Sequence, residues 1–487
     1  VRPVEVVGPL ISLLKAEPNI KKVLCHSFPI STTSDFLNLI DILNSFPLLG
    51  RLISIAPIPD LTFEKLFYEI RGFFLANISR LRMTKKQLQF FENLALHCFT
   101  NEYIYLESDE ETNRVQCLEE KVRLQLDEDI QPTVSEILCL ACFRQLEKFG
   151  WAEKLIFGSD FSELERRFIR EPQKERELAS QIEKLGEIKN QVSVQVRSQY
   201  EENPYPRWVG IGLVRYLPKV RGKENTIENI ISEIGLKINK GDIKKIKNPK
   251  ILVAGCGTGQ HSISCASRFK NPEVTAIDLS LTSLGYAQRK TIELGIKNIK
   301  YMQADILQIA KLDHSFDLIE CGGVLHHMDD PMEGWKVLVD VLRPSGLMKV
   351  GLYSERARQN ILNYRSINSK FKKPLSAKNI KALRHEIIAK DDSISNELTT
   401  NLDFYSLSET RDLLFHVKEH QFTLPKIKYA LQSLKLQFCG FENDTLVNLF
   451  FEKYGKDSDV YDLDKWHQFE IEHPKAFIGM YQFWCQK

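Results

Sequence analysis

The sequence predicts an α/β domain, a mostly parallel sheet with helices on both faces, preceded by a mainly helical region. Three observations carry this. Short apolar runs alternate with helix-length amphipathic segments from Lys250 onward, and a glycine turn follows the first run. Before about residue 160, apolar residues recur instead at three- and four-residue spacing.

The elements follow in order. Phe36–Leu43, Phe63–Phe74, Lys86–Phe99 and Val134–Phe149 read as helices, with Asp60 offering an N-cap just after Pro57 and Pro59. Glu107–Glu111 reads as an exposed acidic loop, and the mixed charges of Glu163–Lys189 as an exposed helix or linker at a domain border. Lys250–Ala254, Val274–Ile277, Ile299–Met302, Phe316–Glu320 and Leu347–Leu352 read as five strands, the last preceded by a turn at Pro344-Ser-Gly346. Helices are expected at about Gly259–Phe269, Leu281–Leu294 and Pro331–Leu342. Residues 356–420 interrupt the alternation and read as an insertion. A helix at Leu424–Leu434, a strand at Leu436–Phe441 and an aromatic strand at Ala476–Cys485 suit a mixed sheet with an antiparallel edge.

Composition limits the function without naming it. The chain has 487 residues and a formal net charge of +2, which argues against a general polyanion binder. Ten cysteines are too sparse for a disulfide scaffold. Cys139 and Cys142 fall on one apolar helical face without a second Cys-x-x-Cys, so core packing is expected there and no metal site. No run of 18 apolar residues occurs, and a reducing cytoplasm is the simplest setting. The chain opens at Val1 and not at an initiator Met, which reads as a piece of a longer polypeptide.

Chemistry concentrates in four segments at the carboxyl ends of successive strands, where open α/β sheets bind ligands. Ile251-Leu-Val-Ala-Gly255-Cys256-Gly257-Thr-Gly259 lets the backbone turn sharply and a ligand approach it, although a bare structural turn has the same pattern. Asp278 ends the next strand, where a carboxylate accepts from ribose hydroxyls. Asp305-Ile306 lies past the third strand, and Cys321-Gly-Gly-Val-Leu-His326-His327 past the fourth.

These segments make residues 250–354 resemble the core of class I S-adenosylmethionine-dependent methyltransferases. The resemblance implies a Rossmann-like seven-stranded sheet of order 3-2-1-4-5-7-6. It implies that Gly255, Gly257 and Gly259 line the methionine portion of the cofactor, with Cys256 among the cofactor-binding residues, Asp278 on the ribose and Leu279 on the adenine. Asp305, Ile306 and Cys321 complete the implied cofactor set. A nicotinamide dehydrogenase is the competing use of a glycine turn, but Gly-x-Gly-x-x-Gly is absent. Gln199-Tyr-Glu-Glu-Asn-Pro-Tyr-Pro-Arg-Trp208, Asp403–His416 and Met480-Tyr-Gln-Phe-Trp484 are similar to a bacterial methyltransferase family often fused to upstream tetratricopeptide repeats, which this chain lacks. The implied organisation is a helical N-terminal domain with its linker at 1–190 and a methyltransferase domain at 191–487, with a lid at 197–215 and the insertion at 356–420.

The candidate catalytic residues are Tyr200, Asn203, Tyr205, His326 and Tyr353. Tyr200, Asn203, Tyr205 and Trp208 read as a lid whose aromatic faces favour a sulfonium or acceptor cation; the other reading is a proline-rich crossover packed on the sheet. Arg207 meets a carboxylate or is a surface charge. His326 or His327 is a base, or a packed loop histidine. Asp403, Tyr405, Arg411, Asp412 and His416 form a cap over the acceptor, or ordinary helix caps and salt bridges. The basic stretch Lys370-Phe-Lys-Lys reads as a solvated helix face. The expected activity is methyl transfer to a small-molecule or protein acceptor, with no metal and no membrane. A protein partner on the helical half is compatible with this. A nucleic-acid-modifying methyltransferase and a silent cofactor-binding scaffold remain alternatives.

Overall fold

The structure is a computed structural model that describes residues 3–25, 30–211, 219–220, 223–238, 242–312, 315–367, 375–390 and 392–487. The basic stretch Lys370–Lys373 and the last residues of the expected lid lie outside the described residues. The chain divides into two compact units. One comprises Val1–Lys174, Pro206–Gly212 and Leu375–Phe415, the other Glu175–Tyr205, Leu213–Pro374 and His416–Lys487.

The second unit holds an eight-stranded sheet. Its strands are β1 (Glu183–Lys184), β2 (Lys250–Ala254), β3 (Glu273–Asp278), β4 (Ile299–Gln303), β5 (Phe316–Gly322), β6 (Leu342–Leu352), β7 (Gln437–Phe441) and β8 (Tyr481–Gln486). They lie in the order β1-β4-β3-β2-β5-β6-β8-β7. Pairing is parallel except for β8, which runs antiparallel to both β6 and β7. Counted from β2, this is the expected seven-stranded order, with the two-residue β1 added at the edge beside β4.

Side-chain alternation explains why the central strands are apolar throughout. Leu252 and Ala254 of β2 enter one core with Ile277, Met302 and Trp335, while Ile251 and Val253 enter the other with Val274 and Leu284. Helices cover both faces, so neither face of these strands meets water.

Several elements differ from expectation. The Pro344-Ser-Gly346 segment lies inside β6, where Ser345 takes φ 64° and the register against β5 shifts; an irregular strand replaces the expected turn. The last strand starts only at Tyr481, because the Ala476 and Ile478 N–H groups close turns onto His473 and Lys475. The expected exposed helix or linker is indeed a helical run from Ser162 to Gln181, but its π-turn at Arg166–Arg170 buries Arg167, Phe168 and Ile169, and β1 follows. Helix Glu171–Gln181 packs closely on helix Leu281–Glu293. Arg289 meets Glu175 at 2.7 Å, and a Cβ on Gly285 would fall 2.5 Å from the Glu175 carbonyl oxygen.

The first unit is helical. Asp60 caps helix Leu61–Asn77 by accepting from the Thr62 and Phe63 N–H groups. The acidic stretch after Glu107 is no loop. Ser108 and Glu111 form a capping box that starts helix Asp109–Asp127, and three acidic side chains in its first turn suit the positive end of the helix dipole. Helix Val134–Ala141 stops short of its expected end at Phe149, where Arg144 turns aside to pair with Glu107 and Glu119 at 2.7 Å each. Cys139 and Cys142 are fully buried, and burial pushes both thiols up. Leu375–Phe415 packs in this unit, where Arg384 forms a two-pronged ion pair with Glu64 at 2.6 and 2.7 Å. Among the described residues, no single helix is long and apolar enough to cross a membrane.

Candidate functional site

The candidate site grows from the carboxyl ends of β2, β3, β4 and β5. After β2 the chain makes a turn in which Gly255, Gly257 and Gly259 take φ of 73°, 50° and 89°. A Cβ on Gly255 would sit 2.2 Å from a Val324 methyl, and one on Gly259 would sit 2.6 Å from the Ala287 Cβ. Only glycine meets both demands. Asp278 closes onto the turn: its Oδ2 accepts from the Gly257 N–H at 2.8 Å and its Oδ1 from the Ser280 N–H at 3.0 Å. Burial pushes the Asp278 carboxyl up against the pull of these donors, and the Glu201 charge adds to the rise.

Asp305 caps the short helical turn after β4, its Oδ1 accepting from the Leu307 N–H at 3.0 Å. Its other oxygen has no hydrogen-bond partner among the described residues, although the residue is 3% exposed. Ile306 is buried beside it and Leu279 is half-buried, its carbonyl accepting from the Gln303 amide at 2.8 Å. Cys256 is buried in one sheet core. Cys321 is fully buried in the other, its thiol pushed up to about 12 by burial, so its side chain belongs to the core and not to an open surface.

S-adenosylmethionine presents ribose hydroxyls and an adenine amino group, all donors. The uncommitted Asp305 oxygen and the unused lone pairs of Asp278 are acceptors placed at neighbouring strand ends, so the residues present fit such a group.

Residues 200–205 are fastened to this edge. Glu201 caps helix Leu281–Glu293, its carboxylate accepting from the Leu281 and Thr282 N–H groups at 2.7 and 3.0 Å. Ser280 donates to the Tyr200 carbonyl at 3.1 Å, and the Thr258 N–H donates to the Tyr205 carbonyl at 3.3 Å. The Tyr200 and Tyr205 rings stack with centroids 6.2 Å apart. Asn203 ends helix Gln191–Glu202, and its Oδ1 is buried without a hydrogen-bond partner.

The aromatic candidates are joined in one cluster. His326 stacks on Tyr353 at 4.0 Å and meets His327 edge-on at 4.3 Å. His327 stacks on His416 at 3.6 Å, and the Tyr200 hydroxyl lies 3.2 Å from His416 Nε2. Both ring nitrogens of His326 are buried and unpartnered, and burial holds its imidazole well below the usual range, with His327 adding to the effect. The strip from His416 to Phe422 is tied to the same strand ends. The His420 N–H donates to the His326 carbonyl at 2.7 Å, the Phe422 N–H donates to the Tyr353 carbonyl at 2.9 Å, and Arg358 and Arg365 both pair with Glu419 at 3.2 Å.

Sequence reasoning missed other groups. Glu320, inside central strand β5, is fully buried between Arg268 and His261, the latter 2.5 Å away. Burial, then the Lys349 and Arg268 cations, pushes His261 down to about 3, so it meets Glu320 as a neutral ring donating from Nε2. An alternating pattern leaves no trace of such a pair, because each member sits at an ordinary position of its element. Lys418, whose backbone carbonyl meets both His327 and His416, gave no signal at all, since any residue supplies a carbonyl.

Other expected residues belong to the helical unit. Within the helical unit, Arg207 lies 4.2 Å over the Phe99 ring, and Trp208 is buried. Tyr405 donates to the Thr399 carbonyl at 2.8 Å, and Arg411 to the Leu375 carbonyl at 3.3 Å, both also within that unit.

Residues 251–346 match a family model described as a methyltransferase domain. An uncharacterized Synechococcus protein is 37% identical over 122 residues, 25% of this chain and 29% of its own. The putative methyltransferase YqeM of Bacillus subtilis is 35% identical over 109 residues, 22% of this chain and 42% of its own. Demethylmenaquinone methyltransferase of Staphylococcus aureus is 30% identical over 140 residues, 28% of this chain and 57% of its own. The chain thus spans well under two thirds of each of these relatives. Among solved structures, PKMT2 from Rickettsia typhi is similar at 17% identity and a TM-score of 0.38, covering 54% of this chain and 52% of that one. Residues 251–346 thereby place in this chain a methyltransferase domain of the class I, S-adenosylmethionine-dependent kind.

Proposed function

We propose that the protein transfers a methyl group from S-adenosylmethionine to a small-molecule or protein acceptor held beside the Tyr200–His327 cluster. The observation that carries this reading is the Asp278 carboxylate bonded to the Gly257 N–H, with the Asp305 oxygen uncommitted at the next strand end. When bound, the cofactor supplies an electrophilic sulfonium methyl. The chain's own part is to orient and to exclude water. Asp278 and Asp305 accept from the cofactor's hydroxyl and amino donors, and the glycine turn admits its amino-acid end. Tyr200 and Tyr205 present ring faces toward which a sulfonium is attracted. A positioned acceptor needs little more, since alignment alone accounts for much of the barrier in such displacements.

The test is calorimetric titration of the full chain with S-adenosylhomocysteine, followed by labelled methyl transfer into a cell extract fractionated into proteins, nucleic acids and small molecules. Asp278→Ala is expected to weaken binding at least tenfold, about 1.4 kcal/mol. Label is expected in the protein or small-molecule fraction. Equal affinity of the variant removes the ribose assignment. Binding without any labelled acceptor removes the activity, and label confined to nucleic acid removes the acceptor class.

A further inference from the structure

The histidine cluster divides its labour unequally, and hydrogen bonding shows how. The Lys418 carbonyl oxygen lies 2.8 Å from His327 Nδ1 and 2.7 Å from His416 Nδ1. A carbonyl only accepts, so each Nδ1 must carry the proton at such separations. The Lys418 N–H also approaches His416 Nδ1, at 3.2 Å, but the shorter contact to the carbonyl decides in favour of the protonated nitrogen. In a neutral imidazole, a proton on Nδ1 leaves the lone pair on Nε2.

The two Nε2 lone pairs then differ. That of His416 is taken by the Tyr200 hydroxyl at 3.2 Å, whereas that of His327 has no hydrogen-bond partner among the described residues. Burial holds His416 well below the usual imidazole range, and the charge of His327 lowers it further. Of the stacked pair, only His327 thus offers an Nε2 lone pair that no hydroxyl occupies among the described residues. His326 lacks this arrangement, since neither of its nitrogens is bonded and no carbonyl fixes its tautomer.

The cluster is continuous with the cofactor edge. His416 contacts Tyr200, whose carbonyl accepts from Ser280, and Ser280 donates its N–H to Asp278. The Lys418 carbonyl is held in place because its neighbour Glu419 is clamped by Arg358 and Arg365, and His420 is bonded to the His326 carbonyl.

Resting on the methyl-transfer reading above, we infer that His327 Nε2 is the proton acceptor of the reaction, with His416 and the Lys418 carbonyl as positioning groups, and that the methyl acceptor is an oxygen or nitrogen that still carries a proton. As the new O–CH3 or N–CH3 bond forms, the S–CH3 bond breaks and its electron pair returns to sulfur, leaving a neutral thioether. The proton of the acceptor O–H or N–H passes to His327 Nε2, and the imidazolium releases it to solvent after the product leaves. An acceptor that arrives as a thiolate or carbanion needs no such base.

Two measurements on the full chain test this. Histidine-selective 15N labelling with long-range proton–nitrogen correlation is expected to show His327 protonated at Nδ1 and bare at Nε2 near neutral pH; the opposite tautomer overturns the assignment without any acceptor in hand. In the labelled-transfer assay, His327→Gly is expected to lose at least a hundredfold in turnover, with S-adenosylhomocysteine affinity within twofold of wild type, and added imidazole is expected to restore part of the rate. His416→Gln, which removes the Nδ1 donor, is expected to fall less and to show no rescue. Transfer by His327→Gly at the wild-type rate overturns the base while methyl transfer stands. Absence of transfer by the wild type sinks the methyl-transfer reading, and the tautomer measurement still decides the state of His327.

Discussion

Replacing Gly259 by alanine makes a demanding test of the glycine turn, because Gly295→Ala serves as its internal control. Both glycines take left-handed φ, 89° and 68°. A Cβ at Gly295 meets nothing within 4 Å, so that variant carries only the left-handed backbone cost of about 1–2 kcal/mol. A Cβ at Gly259 meets the Ala287 Cβ at 2.6 Å, the Ala287 Cα at 3.0 Å and the Tyr301 hydroxyl at 3.1 Å. Two of these belong to a helix core and cannot swing away, so an overpacking cost of about 1–3 kcal/mol adds to the backbone cost. Gly259→Ala should then be destabilised by roughly 2–5 kcal/mol in all. Urea unfolding followed by tryptophan fluorescence reads this, since Trp335, Trp466 and Trp484 are buried in the sheet unit. Calorimetric titration with S-adenosylhomocysteine reads the second consequence: weakened binding in Gly259→Ala and unchanged affinity in Gly295→Ala. If the two variants unfold at the same urea concentration, the close packing of the turn against helix Leu281–Glu293 is not what demands glycine.

Further expectations concern the helical unit. Glu64→Leu leaves the buried Arg384 guanidinium with the Phe404 carbonyl at 2.7 Å but no carboxylate, so urea unfolding should show a loss of about 3–5 kcal/mol, while the double variant Glu64→Leu, Arg384→Met should recover much of it; a double variant weaker than both singles contradicts the pairing. His97 is fully buried, bonded to the Tyr105 hydroxyl at 2.8 Å, and burial pushes its imidazole down to about 4. The folded state prefers the neutral ring, so its contribution is full above the ordinary histidine value of 6.5 and is lost as pH falls from there toward 4. Stability measured across that window should decline less in His97→Gln than in wild type, and parallel curves would remove His97 from the acid response.

What the sequence discloses and what it hides follow different physics. Strands β2 to β6 were legible because a parallel sheet covered on both faces requires unbroken apolar runs, and Ile251-Leu-Val-Ala has that form whatever surrounds it. The glycine turn and Asp278 were legible because their geometry is local in sequence and tolerates few residue types. β1 was not legible: Glu183 and Lys184 are exposed and polar, and they form a strand only because β4 offers a free edge. The acidic run after Glu107 misled because the same charges that suit a solvated loop also suit the first turn of a helix, and only the spacing of Ser108 and Glu111 separates the two. The histidine cluster lies between these cases. His326 and His327 were visible as polar residues at a strand end, and Tyr200 as part of an aromatic segment, but nothing in either segment reports that residue 416 would stack on residue 327. His327 is separated from His326 by a backbone carbonyl, a group every residue carries, and from His416 by the Tyr200 hydroxyl that occupies the His416 Nε2. Composition and motif can therefore nominate the imidazoles, whereas the assignment of a proton among them depends on chain geometry brought together across more than 200 residues, from Tyr200 to Lys418.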